Sequence, residues 1–357
     1  MLTIGSALPD MRAAYSLSDS MSGALLSCYS VGNLASGIIS GWAMLYLGAK
    51  SAIVILSFLV CLGMTILTLN PSSVILFLSC ALIGLGRGSM ISFSQRTINI
   101  FTNGDPMTTG MLHATFAVGA IISPLMFSLF HVISWKAGII FVAVLGACAT
   151  TIFLSIRDYS RLEGGKSSGD NKSLAFFREG GFLVIAALMF LYLCCEFAVN
   201  GWLVTYMRHK NMTTNYAYTM AALLWVVMLA GRLFCAWLSK FTGQKYILLV
   251  SAMGSAVCFG LMLAAESPVS VAVSVALLGL CMAGISPIIY ASSAPYTNKY
   301  PLAMGILFTI GCVGGTVMPL ITGIVAEIYG FSAGMSAILV TFILLIVFAA
   351  VNARRKQ

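Results

Sequence analysis

One carboxylate, Glu196, stands in the middle of a long apolar stretch of this 357-residue chain. An ionised group at that depth in a hydrophobic segment is costly, so it tends to face a cavity and to mark a solute or proton path. Tyr192 and Asn200 lie four residues to either side, which aligns all three along one helical face. Trp202 follows closely with an aromatic surface of the kind that suits a sugar ring. A carboxylate exposed alternately to water and to apolar surroundings takes up and releases a proton. The plainer alternative for Glu196 is a structural ion pair or a helix–helix hydrogen bond.

Further polar side chains sit inside apolar stretches. Arg87 could hold an anionic solute or serve as counter-ion to Glu196. At 1.5 Å per residue it lies about 10 Å nearer one membrane face than Glu196, so a direct pair needs extended side chains or a bend. Arg232, next to Gly231, reads as a tether between helices. His113 shares a helical face with Phe116, Ala117, Ala120 and Pro124, and a neutral, hydrogen-bonded imidazole is its bland reading. Asn33, Trp225, Ser286 and Tyr290 are individually weak solute contacts, and His131 and His209 fall at helix ends.

The elements that position these groups follow from composition. Hydrophobic residues make up 60% of the chain and charged residues 8%, with a mean hydropathy of +1.00. Soluble domains carry about 25% charge, so a soluble enzyme, a disordered chain and a free nucleic-acid binder are excluded. Apolar stretches long enough for a bilayer core of about 30 Å recur at 21–47, 51–69, 72–100, 106–131, 137–156, 180–206, 216–241, 246–265, 268–292, 302–328 and 332–352. That is eleven full spans, all helical because backbone groups in lipid must be bonded internally. Ten cysteines fall within apolar runs without metal-ligand spacing and read as small hydrophobes, so no metal and no cofactor are expected. The start, MLTIGSALPDMR, lacks a basic segment and a cleavage pattern, so no cleaved leader is expected. The glycines of GLGRG (84–88) follow no strand and precede no Gly-Lys-Ser/Thr, so they pack helices and do not cradle phosphate.

Residues 157–179 break the apolar pattern with a polar run of both charge signs, a solvated linker between a bundle at 1–156 and another at 180–357. With the linker cytoplasmic, thirteen basic residues fall inside, Lys50, Lys240, Lys245 and Arg354 among them. Only Arg12, Lys136, Arg208 and Lys210 fall outside. That bias sets the expected orientation, with the C-terminus also cytoplasmic, and explains the net charge of +9 without nucleic acid.

The halves match at a constant offset of 195. Leu34, Ala35, Trp42, Gly48 and Lys50 align with Leu229, Ala230, Trp237, Gly243 and Lys245. Gly110, Leu112, Gly119 and Pro124 align with Gly305, Leu307, Gly314 and Pro319. A tandem duplication is the design expected of secondary transporters. The offset sets Met1 against Glu196, so the first helix begins about 16 residues short and about 11.5 of 12 spans are expected. An incomplete N-terminus is the expected cause, since a half-span leaves helix-end N–H groups in hydrocarbon.

Six plus six helices around a basic central loop resemble the major facilitator superfamily. GWAMLYLGAK (41–50) is similar to that family's signature loop Gly-xxx-Asp-Arg-x-Gly-Arg-Lys, and GRLFCAWLSKFTGQK (231–245) echoes it, which gives Gly48, Lys50, Gly243, Lys245 and Arg232 structural or gating places. Leu45 and Tyr46 stand where the acidic–basic pair belongs, so a gating salt bridge is not carried over. LHATFAVGAIISPL (112–125) and YLCCEFAVNGWLVTY (192–206) resemble the fucose–galactose–glucose/proton symporter group, although the fourth span offers Arg87 where that group has an acid. The resemblance implies a 6+6 bundle working as a monomer, with the fourth helix lining a central cavity. It also implies proton-coupled transport of a sugar or related small molecule by rocking of the halves, and the short loops without long soluble domains suit a bacterial plasma membrane. Drug or metabolite efflux by antiport and a non-transporting sensor remain open beside it. A membrane enzyme is disfavoured, because no nucleophile and base cluster at helical spacing.

Overall fold

The computed structural model describes residues 2–69, 71–102, 106–156, 177, 179–297 and 303–355, and all but residues 177 and 179 of the expected linker lie outside them. The chain is helical throughout the described residues. The first half comprises α1 (Leu2–Tyr15), α2 (Asp19–Leu47), α3 (Ala49–Thr68), α4 (Ser73–Thr102), α5 (Pro106–His131) and α6 (Trp135–Ser155). The second comprises α7 (Gly180–His209), α8 (Thr214–Leu238), α9 (Gln244–Ala264), α10 (Pro268–Ala283), α11 (Ile285–Thr297), α12 (Ala303–Tyr329) and α13 (Phe331–Arg354). Among the described residues nine helical stretches are long and apolar enough to cross a membrane. Their outward faces carry exposed aliphatic and aromatic side chains, such as Ile152, Val257 and Ile328, a surface suited to lipid.

The duplication reaches down to the helix caps. The offset of 195 carries the starts of α2, α3 and α4 onto those of α8, α9 and α10. It also carries Ser18 onto Thr213, whose side-chain oxygens accept from the backbone N–H groups of Met21 and Tyr216 at 3.2 and 3.3 Å. Each cap satisfies a helix-end donor that lacks an intrahelical partner. α1 is 14 residues long where its counterpart α7 has 30. The eleven expected spans each coincide with helix, but the ninth is divided. Pro287 has no N–H to offer the Ala283 carbonyl, and the helix breaks at Gly284.

Glycine sets how closely the helices approach. A Cβ on Gly84 would run into the Tyr29 carbonyl oxygen and one on Gly32 into that of Ala81, so α2 and α4 meet backbone to backbone. Gly23 and Gly323 serve α2 against α12 in the same way, and Gly5 serves α1 against α7. By contrast, a Cβ at Gly37, Gly41 or Gly305 would meet nothing within 4 Å among the described residues. The halves therefore touch near one end of these helices and leave space near the other. Gly48, with φ of 78°, makes the left-handed turn between α2 and α3 that a side chain would strain.

Replacing Gly84 with valine forces α2 away from α4 and is expected to lower the melting temperature in detergent markedly, whereas Gly37→Val leaves it within a degree or two. Equal melting temperatures for the two variants would contradict this packing.

Candidate functional site

A cavity of about 390 Å³ lies between the halves. The first half supplies most of its wall, including Tyr29 on α2, Arg87 and Met90 on α4, and Phe116 on α5. The second supplies Glu196, Phe197 and Asn200 from α7 and Trp225 from α8. The aliphatic remainder includes Val60, Met64, Ile83 and Val142.

The polar groups form one connected system. Arg87 Nη1 donates to Asn33 Oδ1 at 3.0 Å, and its guanidinium lies 5.0 Å from the centre of the Phe116 ring. Phe116 meets Trp225 edge-on at 5.7 Å, and Trp225 Nε1 donates to Asn200 Oδ1 at 2.9 Å. Arg232 lies 5.8 Å from the Trp225 ring centre on the α8 side. Glu196 is within electrostatic reach of Arg232, the Tyr192 hydroxyl and Arg87. It forms no ion pair within 4 Å among the described residues.

The sequence candidates divide accordingly. Glu196, Asn200, Arg87 and Trp225 border the cavity. Asn33 supports Arg87 from behind and reaches Cys312 Sγ at 4.0 Å. Tyr192 is buried, its hydroxyl 3.5 Å from the Met282 carbonyl, and Tyr290 lies within electrostatic reach of Glu196 without bordering the cavity. Trp202 does not join the site. Six residues beyond Glu196 it points about 240° around α7, fully buried, donating to the Pro319 carbonyl at 3.2 Å and packing against Phe331. Among the described residues the Arg232 tether takes no ion-pair form: Nη2 reaches Met228 Sδ at 3.8 Å and Nε is buried without a partner. The side chain of His113 lies outside the described residues. Lys50 is half-buried beside the α2–α3 turn. Gly243 and Lys245 border a separate hollow of about 680 Å³ at the start of α9, with Arg355, which donates to the Gly180 carbonyl at 2.6 Å.

Sequence reasoning passed over Tyr29, although it stands one turn before Asn33 on the same face of α2. It also passed over a polar latch at the end opposite the linker. Asp10 on α1 accepts from Arg208 on α7 at 2.6 Å, with His131 of α5 at 3.5 Å and the Tyr218 hydroxyl of α8 at 3.3 Å. Beside it, the Ser20 N–H donates to Glu327 at 2.8 Å and Ser27 to the Thr316 carbonyl at 2.5 Å, both from α2 to α12. Ser128 of α5 meets Asn215 of α8 at 3.1 Å. Apart from the Asp10–His131 contact, which lies within the first half, these bonds cross between the halves, and they draw the bundle shut at that end.

A family-wide sequence profile described as Major Facilitator Superfamily matches residues 1–291 and 227–357. An uncharacterized MFS-type transporter of Yersinia pestis is 22% identical over 350 residues, covering 97% of this chain and 90% of that protein. Membrane protein MosC of Rhizobium meliloti is 23% identical, covering 92% and 80%. The solved nucleoside transporter NupG superposes with a TM-score of 0.78 at 15% identity, over 100% of this chain and 95% of that one. A bacterial homologue of the human lysosomal transporter Spinster, in an inward-facing and occupied conformation, gives 0.76 at 15% identity, over 99% and 94%. At that identity the structural likeness speaks for the fold.

Asp10→Asn removes the charge on which Arg208 and His131 converge. Spin labels at Val132 and Asn211, on the two halves at the latched end, are expected to show a several-fold larger long-distance population in this variant. An unchanged distance distribution would mean that the latch does not hold that end closed.

Proposed function

Because the chain belongs to the Major Facilitator Superfamily, we propose that this transporter carries a small polar solute through the central cavity by alternating access, with Glu196 as the proton-carrying group. The observation that carries the reading is the placement of the cavity. It lies between two halves that are bonded together at one end and open at the other, and it contains the described carboxylate that sits in mid-span. Rocking about such a centre exposes the site to each side in turn.

The thirteen-to-four charge bias puts the linker, and with it the open end, on the cytoplasmic side. The described conformation is then inward-facing, and the Asp10 cluster closes the outer face. The position of Glu196 supports proton coupling. Its carboxylate borders the same cavity as the solute, with Tyr192 one turn away, so it exchanges its proton with whichever side the cavity faces. Arg87 and Arg232 lie within electrostatic reach of it. A monomer contains the whole site, and a bacterial plasma membrane suits its short loops. A sugar or related metabolite is the solute class suggested by the resemblance of residues 112–125 and 192–206 to the sugar/proton symporters. Export by antiport is the second reading, favoured by the aliphatic and methionine part of the lining.

In proteoliposomes containing a trapped pH dye, solutes spanning neutral sugars, sugar acids and a cationic drug are offered from outside. A transported solute is expected to acidify the interior through the unaltered chain, and Glu196→Gln is expected to abolish that proton movement. Solute-driven acidification that persists in the variant would remove Glu196 from the proton path, and internal alkalinisation would favour antiport.

A further inference from the structure

Beside Glu196 and the hydroxyls of Thr3 and Ser123, which bond each other at 3.1 Å, the polar lining of the cavity presents mainly hydrogen-bond donors. Arg87 carries five N–H groups, and one of them, on Nη1, has a protein acceptor in Asn33. The Tyr29 hydroxyl, in the same wall and within electrostatic reach of Arg87, is buried with no hydrogen-bond partner among the described residues. The Asn200 oxygen is already taken by Trp225. Charge tells the same story. At this depth the described residues place two guanidinium groups, Arg87 and Arg232, against the single carboxylate of Glu196. The ion pairs formed among the described residues all lie at the latched end, so Arg87 has no carboxylate partner.

A half-buried guanidinium at bilayer depth without a counter-charge is costly and matches a carboxylate bidentately. We infer that the cavity takes a small organic monoanion, its carboxylate held by Arg87 and the Tyr29 hydroxyl and its flat apolar body laid along Phe116 and Trp225. The aromatic wall supports the second part. Arg87 lies over Phe116, which meets Trp225 edge-on, so the cation and a continuous ring surface adjoin. Met64, Ile83 and Val142 extend the apolar part of the wall beside the rings. This inference rests on the transport reading and narrows its solute away from the neutral sugars. It also fits a coupled proton: when Glu196 is protonated, the site carries one more net positive charge, so proton and anion binding favour each other and their joint movement is electroneutral.

The test uses benzoate, its neutral isostere benzamide and glucose as probes of the full chain in detergent. Binding is read from quenching of tryptophan fluorescence and from the shift in melting temperature. Benzoate is expected to bind in preference to both neutral probes. Arg87→Gln should weaken it by about ten- to a hundredfold, the loss associated with a hydrogen bond to a charged group. Arg87→Lys should restore part of that affinity, and Tyr29→Phe should weaken it several-fold. The melting temperature without ligand shows whether each variant is folded. Equal binding of benzoate and benzamide, preference for glucose, no benzoate binding at all, or benzoate affinity unchanged in a folded Arg87→Gln would each overturn the inference. Counterflow exchange of the same probes separates it from the transport reading. Glucose exchange without benzoate binding sinks the anion and leaves transport standing, while Arg87-dependent benzoate binding without exchange of any probe sinks transport and leaves the anion site.

Discussion

An ionised side chain at bilayer depth must be solvated by protein, by a cavity or by a partner charge, because hydrocarbon offers it nothing. Glu196, Arg87 and Arg232 impose that constraint on this chain. The guanidinium of Arg87 is met by an amide oxygen and an aromatic face, and Glu196 by a phenol and two cations held beyond ion-pair distance. None of the three is neutralised by direct contact among the described residues. The centre of the bundle is consequently polarised yet unsaturated, which is the condition for binding a solute and exchanging a proton in one place.

Closure at one end and separation at the other follow from different chemistry at the two ends of the same helices. At the latched end, small residues let α2 and α12 approach until backbone touches backbone, and polar groups from three other helices, Arg208, His131 and Tyr218, converge on Asp10. Toward the linker end the glycines of α2 face open space. Several of the bonds across the latched end are single hydrogen bonds or partly exposed ion pairs, whose individual contributions are modest. An interface built from many such contacts can be exchanged for another without unfolding either half, and that makes rocking between two closures feasible.

Much of this was legible from residue patterns. Helix positions followed from apolar length, and the offset of 195 located the pseudo-repeat that the capping pair Ser18 and Thr213 reproduces in three dimensions. Glu196, Asn200, Arg87 and Trp225 could be picked out because a polar or charged group in an apolar run carries an energetic signature that needs no structure. What escaped was set by direction and by distance along the chain. Trp202 is near Glu196 in sequence but turns away on the helix. The break at Gly284 depends on one missing N–H at Pro287. Asp10 and Arg208 are nearly two hundred residues apart, and only the packing of α1 on α7 brings them together. Tyr29 looked like one more packing aromatic until its hydroxyl proved to lack a partner.

The central claim is that the cavity opens to one side at a time. Gly119 borders it, and a Cβ there would meet nothing within 4 Å, so a cysteine at this position fits and reports access. In a cysteine-free background carrying Gly119→Cys, a membrane-impermeant thiol reagent is applied from either face of sealed vesicles. The account predicts labelling from the linker face in the described conformation, shifting to the opposite face when Asp10→Asn is added. Equal labelling from both faces at once would describe a channel and contradict it, as would labelling confined to the face closed by Asp10.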